Sequence, residues 1–240
     1  MSWRTLEVCV DNHEGLVAAI KGGADRIELC AALALGGLTP SEALMLAGAR
    51  SPVPVYAMIR PRAGLFDFDE AELSDMEREI DRARAHGLAG VVLGAGGPDG
   101  LDLTALARLS RRAEGMGRTL HRVIDLVQQP EMRMADIAAL GFERVLTSGG
   151  ALTAEAGAET IAAMVRAAPK GLSVMAGSGV NASNAASILR RTGVLELHSP
   201  ASVTTAPPDP RIVELGFTPE TSRRTDPAAV AELAALLHAS

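Results

Sequence analysis

The stretch GGADRIELC, residues 22–30, decides how this chain folds when it is compared with its echo LEVCV at residues 6–10. We expect both segments to form β-strands, in which alternate side chains face opposite sides. Glu28 and Cys30 then share one face, and the echo repeats this arrangement with its own glutamate and cysteine. If the two strands are neighbours, two thiols and two carboxylates enter one enclosed space. This combination indicates a functional site inside the core.

A unit recurs along the chain: an amphipathic helix that ends near glycine, a short β-branched strand, and a polar or glycine-rich loop. The segments GGADRIEL, HGLAGVVL and LGFERVL share this form. We predict eight strands, at residues 6–10, 26–30, 53–60, 90–94, 119–123, 144–147, 173–176 and 194–198. Strand–helix units of about 30 residues fit a TIM (β/α)8 barrel, an α/β fold, better than an open doubly wound sheet.

The 240 residues are expected to form a single barrel domain, residues 1–240. The clearest helix is predicted at residues 72–85, and a last helix at residues 227–237 follows the capping residue Asp226. Residues 200–225, which precede that helix and are rich in proline, are predicted to form a long loop over the top of the barrel. Such a loop would act as a lid.

Composition excludes several classes of partner. The net charge of −6 without a cationic block, and an aromatic content of 2%, disfavour a nucleic-acid surface. The amino terminus lacks the apolar segment of a signal peptide, and no apolar run is long enough to span a bilayer. We therefore expect a cytoplasmic protein with no nucleic-acid or membrane partner, which binds an ion or a small metabolite and forms a homo-oligomer.

Both cysteines lie in predicted strands, and buried thiols in a reducing cytosol are usually reduced. They are then either inert packing or a site for a soft metal ion. Cys9 and Cys30 at matching heights would suit Cu(I), with Met58 as a third sulfur ligand. Zn(II) prefers four ligands, and His121 or His198 would have to complete that set.

Polar residues point into the predicted barrel at several strands. A barrel interior built only for stability is mostly Val, Ile and Leu, and unpaired charges there are costly. The pocket residues predicted by strand alternation are Glu7, Glu28, Met58, Thr147, Glu196 and His198. A purely structural alternative is a salt-bridge layer in which the glutamates of this set neutralise Arg60 and Arg62.

Two glycine-rich turns and two arginines allow a second interpretation. Backbone N–H groups at such turns bind anions, and Arg60 and Arg62 offer forked donors to a carboxylate or phosphate. His121 with Asp125 is predicted as an acid–base group with a carboxylate partner. The predicted anion-binding residues are Ser148, Gly149, Gly177, Ser178 and Gly179. Together these residues describe a TIM-barrel enzyme of isomerase, aldolase or lyase type that acts on a small anionic or phosphorylated metabolite.

Several motifs follow one another in a fixed order over most of the chain: LEVCVD, GGADRIELC, GGLTPS, RPR, HRVID, ERVLTSG and the pair His198-Ser199. In order and composition they resemble the CutC family, whose members are described as copper-homeostasis proteins. The resemblance implies a TIM barrel, a cytoplasmic location and a role in Cu(I) handling. It also places Cys9 and Cys30 at the positions of the cysteines proposed to bind copper in relatives.

The chain departs from the family pattern near the predicted mouth of the barrel. The usual RPRGGDF reads RPRAGLF here, so Ala63 and Leu65 replace a glycine and an acidic residue. Leu35 replaces the acidic residue that commonly precedes GGLTPS. The sequence therefore favours a copper-homeostasis protein that binds Cu(I) through two cysteines, with the enzyme as the alternative.

Overall fold

Eight parallel strands close into a barrel in the part of the chain that this computed structural model describes, residues 4–207 and 209–239. In chain order the barrel strands are β1 (Thr5–Val10), β2 (Arg26–Leu29), β3 (Val55–Met58), β4 (Gly90–Leu93), β5 (Gly117–Leu120), β6 (Arg144–Thr147), β7 (Ser173–Ala176) and β8 (Glu196–Ser199). Each strand pairs with its neighbours in this order, and β8 closes the barrel against β1. The predicted TIM barrel is therefore confirmed.

Helices connect the strands, as the repeating unit predicts. They are α1 (His13–Gly22), α2 (Glu42–Gly48), α3 (Glu70–Ala85), α4 (Leu103–Arg112), α5 (Met134–Ala139), α6 (Ala158–Ala167), α7 (Ala185–Thr192), α8 (Pro210–Glu214) and α9 (Pro227–His238). Side-chain caps fix where several of them begin. Asn12 accepts a hydrogen bond from the Gly15 N–H at 2.8 Å, Asp69 and Glu72 form a capping box, and Asp226 caps α9 as predicted.

Side chains alternate along β1 as the sequence predicts. Leu6, Val8 and Val10 are fully buried in the main apolar core. Glu7 and Cys9 face the barrel interior, where they meet polar groups of other strands. No helix within the described residues is both long enough and apolar enough to cross a membrane.

The fifth strand ends earlier than predicted. β5 stops at Leu120, whereas the sequence favours a strand to residue 123. The cause is His121, whose Nδ1 accepts a hydrogen bond from the Val123 N–H at 3.2 Å and so caps a short 3-10 helix, Arg122–Leu126. His121 therefore lies at the carboxyl end of the barrel.

The described residues between 200 and 225 do not form the predicted loop over the top of the barrel. Ser202–Thr205 pairs with Ser222–Thr225 in an antiparallel two-stranded sheet, and α8 lies between these strands. Arg224 pairs with Glu14 of α1 at 2.7 Å, so the sheet is fastened to the flank of the barrel. Seven of the eight residues in these two strands are polar and most are exposed, so the small sheet lies on the surface, and proline content alone does not predict it.

Four charged side chains form a layer inside the barrel near the amino-terminal ends of the strands. Arg26 donates one hydrogen bond to Glu7 and another to Glu196 at 2.5 Å, and Arg144 donates to Glu196 at 2.7 Å. Both guanidinium groups lie over the ring of Tyr56, at 5.7 Å and 5.5 Å from its centroid. Two positive and two negative groups make the layer neutral, which is the condition for burying charge at tolerable cost.

The structural alternative is thus right about Glu7 and Glu196 but wrong about their cations. The partners are Arg26 and Arg144, not Arg60 and Arg62. Arg26 is the register neighbour of Glu7 across β1 and β2, whereas Arg60 lies beyond the end of β3. The sequence held a signal for Arg26, because it shares a strand face with Glu28 and Cys30.

We expect Arg26→Gln to lower the free energy of unfolding by about 3–5 kcal/mol, because Glu7 and Glu196 lose the buried cation that they share. Urea denaturation followed by circular dichroism measures the change. Arg78→Gln is the control, since the ion pair of Arg78 is exposed and exposed pairs contribute little. Equal stabilities of the two variants would contradict the role of this charged layer.

Candidate functional site

The carboxyl ends of the barrel strands open into a cavity of about 510 Å³. Binding and catalytic sites of TIM barrels form at this end, from strand ends and the loops that follow. The polar side chains that line the cavity include Cys9, Glu28, Arg60, His121, Asp125 and His198.

Cys9, Glu28 and His198 form a buried cluster on one wall of the cavity. The Cys9 sulfur, a Glu28 carboxylate oxygen and a His198 ring nitrogen all lie within 4.8 Å of one another. Strand pairing produces this cluster: β2 places Glu28 beside Cys9, and β8 places His198 beside Glu7. The Oε1 atom of Glu28 has no hydrogen-bond partner within the described residues. The cluster therefore offers a soft sulfur donor, an intermediate imidazole nitrogen and a hard carboxylate oxygen. One of its carboxylate oxygens has no hydrogen-bond partner among the described residues.

Glu7 sets the orientation of His198. The Oε1 atom of Glu7 lies 2.8 Å from the Nδ1 atom of His198, and Nε2 then faces Oε2 of Glu28 at 3.8 Å. Histidine ligands of metal ions are commonly held in this way, by a carboxylate on the nitrogen that does not bind the ion. Glu7 thus supports the cluster from behind.

Cys30 lies next to this cluster but does not belong to it. Its thiol donates to Oε2 of Glu28 at 3.3 Å, and its side chain packs with Met58 in a small apolar cluster. Glycine is required at position 37, where φ is +85° and a Cβ atom would lie 3.0 Å from the Cys30 sulfur. In the strand register, the neighbour of Cys9 is Glu28 and not Cys30. Sharing of one ion by the two thiols therefore stays a prediction.

Burial controls the ionisation of these groups. It raises the pKa of the Cys9 thiol, although His198 opposes the shift. Burial and the charge of Glu28 raise the pKa of Cys30 well above its ordinary value, and burial also raises the pKa of Glu28. Burial alone would lower the pKa of His198, but Cys9 and Glu28 raise it well above the ordinary value. At neutral pH the thiols are protonated, so a metal ion must displace a thiol proton to bind.

Asp125 fills the first of the two predicted anion-binding turns. Its carboxylate accepts hydrogen bonds from the N–H groups of Ser148 and Gly150 at 3.1 Å and from the Thr147 hydroxyl at 2.5 Å. The Gly149 N–H donates to the Thr147 hydroxyl at 2.8 Å. The turn binds an anion, as its composition predicts, but that anion is a side chain of the same protein. The predicted ligand site at Ser148 and Gly149 is therefore wrong.

His121 is held as a neutral imidazole. Because Nδ1 accepts from the Val123 N–H, the ring proton is on Nε2, which is buried and has no partner among the described residues. Burial, with the charge of Arg60, lowers the pKa of His121 to about 3. Gly94 makes room for the ring, since a Cβ atom there would lie 2.5 Å from it. The predicted acid–base pair with Asp125 is wrong, because that carboxylate bonds to the neighbouring turn instead.

The second predicted turn remains part of the cavity wall. Ser178 and Gly179 line the cavity and have positive φ angles of 78° and 71°. The Ser178 hydroxyl donates to the Leu152 carbonyl at 2.7 Å. Gly177 belongs to the barrel itself, since its N–H donates to the Thr147 carbonyl at 2.9 Å. Anion binding at Ser178 and Gly179 stays a prediction.

Arg60 lines the cavity without a carboxylate partner in the described part of the chain. Its Nη1 atom donates to the carbonyls of Leu35 and Gly37 at 3.0 Å and 3.2 Å, and Nη2 donates to that of Gly64 at 3.1 Å. The guanidinium carbon lies 4.7 Å from the centroid of the Phe66 ring. Arg60 is only 6% exposed, and its Nε atom has no partner. Its positive charge is thus buried and uncompensated.

Arg62 faces away from the cavity. It pairs with Glu72 of α3, and it donates to the carbonyls of Leu65 and Asp67 at 2.9 Å and 2.7 Å. The prediction of two arginines at the mouth is therefore wrong for Arg62. The loop after β3 directs this side chain toward α3, and its role is to hold that loop in place.

Strand alternation predicts the inward facing of most of these residues but not how deep they lie. It is wrong for Thr147, which lies on the opposite face of its strand from Arg144 and Leu146. The predicted pocket residues that line the cavity are Glu28, Met58 and His198. Glu7 and Glu196 belong to the charged layer below it, and Thr147 donates to Asp125. These three are therefore structural neighbours of the site and not parts of its surface.

Apart from Met58, the apolar residues of the cavity wall are not predicted from the sequence; they are Leu33, Leu35, Phe66, Leu126, Leu146 and Pro200. Leu146 carries a usable signal, because it shares a strand face with Arg144. Phe66 carries none, since it reaches the cavity from a loop whose path local sequence does not define. Leu35 gives the mouth an exposed apolar edge.

We expect His121 to weaken the fold as the pH falls. The folded protein favours neutral His121, so the stabilisation present above pH 6.5 is lost toward pH 3, at about 1.4 kcal/mol per pH unit. Between pH 6.5 and pH 5 the wild type should lose about 2 kcal/mol more than His121→Phe, which cannot be protonated. Urea unfolding at a series of pH values measures both losses. The exposed variant His13→Gln should follow the wild type, and equal losses in wild type and His121→Phe would disprove the assignment.

Comparison with known proteins gives a consistent family. The model of the CutC family matches residues 4–203. A CutC family protein from Sinorhizobium medicae is 52% identical over 235 residues, which cover 98% of this chain and 96% of the relative. Another from Rhizobium meliloti is 50% identical over 240 residues, 100% of this chain and 98% of the relative.

A solved structure agrees with the sequence relatives. The crystal structure of CutC from Streptococcus agalactiae is 30% identical and superposes with a TM-score of 0.77, covering 82% of this chain and 98% of that one. The motifs, the closed barrel and these matches lead to one conclusion. The chain belongs to the CutC family.

Proposed function

We propose that this CutC family protein takes part in copper homeostasis by binding Cu(I) at the mouth of the barrel, with the Cys9 sulfur as the central ligand. The observation that carries the proposal is the buried convergence of Cys9, Glu28 and His198 within 4.8 Å. The unpartnered oxygen of Glu28 supports it, because a buried carboxylate oxygen without a donor is a favourable neighbour for a cation. Thiolate and imidazole both suit copper.

Sulfur next to the cluster favours Cu(I) over harder ions. The Cys30 thiol contacts Glu28 and packs with Met58, so a second thiol and a thioether border the cluster. Soft sulfur ligands select Cu(I), whereas a structural zinc site requires four ligands. We assign Cys30 as the second sulfur ligand, reached when its hydrogen bond to Glu28 is given up. The Streptococcus agalactiae relative is described as a candidate copper-homeostasis protein, which supports a role in copper homeostasis.

The ionisation of the site fits an ion that is taken up and released. Both cysteines are free and buried, and their raised pKa values keep the empty thiols protonated and unreactive. Glu28, which touches the Cys30 thiol, is placed to receive a proton when the ion enters. Two reduced thiols require a reducing compartment, so we propose that the protein acts in the cytoplasm.

The enzyme alternative has weaker support. It relied on an acid–base pair and on two arginines at the mouth. Asp125 is hydrogen-bonded into its own turn, and Arg62 is paired with Glu72. What remains of that alternative is a cavity with one buried arginine and one neutral histidine.

We expect the reduced wild-type protein to remove one equivalent of Cu(I) from a chromophoric chelator under anaerobic conditions. Cys9→Ser should abolish this competition, because the central sulfur is lost. Cys30→Ser and His198→Gln should each weaken the affinity by about 10–100-fold, the usual effect of removing a ligand or its support. His13→Gln, an exposed histidine variant, should bind as the wild type does.

Circular dichroism of each variant shows whether the barrel is intact. Failure of the wild type to compete with the chelator would refute the proposal, and so would full competition by folded Cys9→Ser protein. A parallel titration with Zn(II) tests which metal the site prefers. If equimolar Zn(II) displaces bound Cu(I), the site is a zinc site and the assignment to copper is wrong.

A further inference from the structure

Unpartnered buried groups are concentrated in the cavity. Among the described residues, buried side-chain nitrogen and oxygen atoms without a hydrogen-bond partner occur in Glu28, Arg60, Arg118 and His121. All of these except Arg118 line the cavity. Folded proteins rarely leave such atoms unsatisfied, so each calls for a partner that is not part of the chain. The Glu28 oxygen belongs to the copper proposal, which leaves two N–H donors of cavity-lining residues unexplained.

The first donor is the Nε–H of Arg60. The terminal nitrogens of this guanidinium bond to three backbone carbonyls, which fix its position but supply no negative charge. Arginine cannot be deprotonated in proteins, so a full positive charge is held in the wall of the cavity. Burying an unpaired charge is costly, and an anion from outside would offset that cost.

The second donor is the Nε2–H of His121. The Val123 N–H donates to the other ring nitrogen, Nδ1, so the backbone fixes the tautomer with the proton on Nε2 before any ligand binds. The ring is 3% exposed and packs against Phe66, with the ring centroids 4.8 Å apart. Arg60 lies over the same Phe66 ring, so both donors belong to side chains that contact one aromatic ring.

We propose that the cavity binds a small organic monocarboxylate, whose two oxygens accept from Nε of Arg60 and Nε2 of His121. One uncompensated positive charge and two N–H donors match one carboxylate in charge and in number. The other arginine of the wall, Arg122, is already paired with Asp125 at 2.8 Å. The apolar side chains of Leu35, Met58 and Leu146 then surround the remainder of the ligand. A cavity of about 510 Å³ is of ligand-binding size.

A phosphate is the weaker fit. It would bring a second negative charge against a single free cation, and the turn best suited to it, Ser148 to Gly150, already holds the carboxylate of Asp125. The neutral His121 donates only one hydrogen bond and cannot supply the missing charge. The chemistry of the cavity therefore favours a carboxylate with a short apolar body.

The test uses metal-free, reduced protein, so its outcome does not depend on copper binding. Acetate, propionate and inorganic phosphate are titrated separately at constant ionic strength, with chloride as the balancing anion. Nitrogen-15 NMR follows the Nε2 resonance of His121, and calorimetry gives the affinity. We expect a saturable shift of this resonance with a carboxylate, at one site, and weaker binding of phosphate.

Two variants remove the proposed donors one at a time. Arg60→Gln and His121→Phe should each weaken carboxylate binding by about 10–100-fold, as expected for loss of a hydrogen bond to a charged group. Arg78→Gln and His13→Gln, which change exposed residues, are the matched controls and should bind as the wild type does. If Arg60→Gln does not fold, because its loop contacts are lost, His121→Phe alone decides the question.

Three results would overturn the proposal. One is the absence of any saturable shift of His121 with either carboxylate. Another is carboxylate binding that survives in folded His121→Phe, which would place the ligand elsewhere. The last is tighter binding of phosphate than of both carboxylates, which would assign the cavity to a different class of anion.

Discussion

The buried ion pair between Glu7 and Arg26 is the contact on which both the barrel and the site depend. Burial alone would raise the pKa of Glu7, but Arg26 and the hydrogen bond from His198 hold it well below its usual range. Glu7 is therefore a fixed negative charge in the middle of the protein. One of its oxygens completes the charged layer, and the other holds the ring of His198. The interaction that makes a charged interior tolerable is thus the same one that positions the cluster at the mouth.

This coupling explains why polar residues occur in two layers of one barrel. The lower layer is internally neutral and satisfied, because Arg26 pairs with both Glu7 and Glu196 and Arg144 pairs with Glu196. The upper layer is incomplete, since three of the residues that line the cavity, Glu28, Arg60 and His121, each have a buried atom without a hydrogen-bond partner among the described residues. A satisfied layer stabilises the fold, whereas an unsatisfied one is stable only because the surrounding barrel holds it in place. Within the same strands, the polar residues of the lower layer therefore stabilise the fold, and those of the upper layer are the candidates for binding a ligand.

Much of the fold was accessible from sequence because it depends on local properties. Alternation in β1 and β2 gives the facing of Glu7, Cys9, Glu28 and Cys30 without any knowledge of the neighbouring strands. The stagger between strands is a property of the closed barrel, so the pairing of Cys9 with Glu28 could not be derived in this way.

The candidate site was less accessible, because loops supply much of it. Asp125 and Arg62 find partners that depend on the path of a loop, and local sequence does not define that path. The sequence correctly predicts that the glycine-rich turn at Ser148 binds an anion. What sequence could not provide was the identity of the anion.

The carboxylate of Asp125 already occupies the anion-binding turn at Ser148 to Gly150, and this disfavours the binding of other anions there. A free phosphate would have to displace a group that is tethered beside the site and present at an effective concentration of about millimolar or more. Glycine-rich loops at this end of a TIM barrel are a common seat for phosphate groups. Here the turn is occupied before any ligand arrives, so a phosphate group must compete with the carboxylate of Asp125 to bind at this turn. The turn at Ser148 to Gly150 thus binds a side chain of its own protein and serves as a structural element beside the cavity.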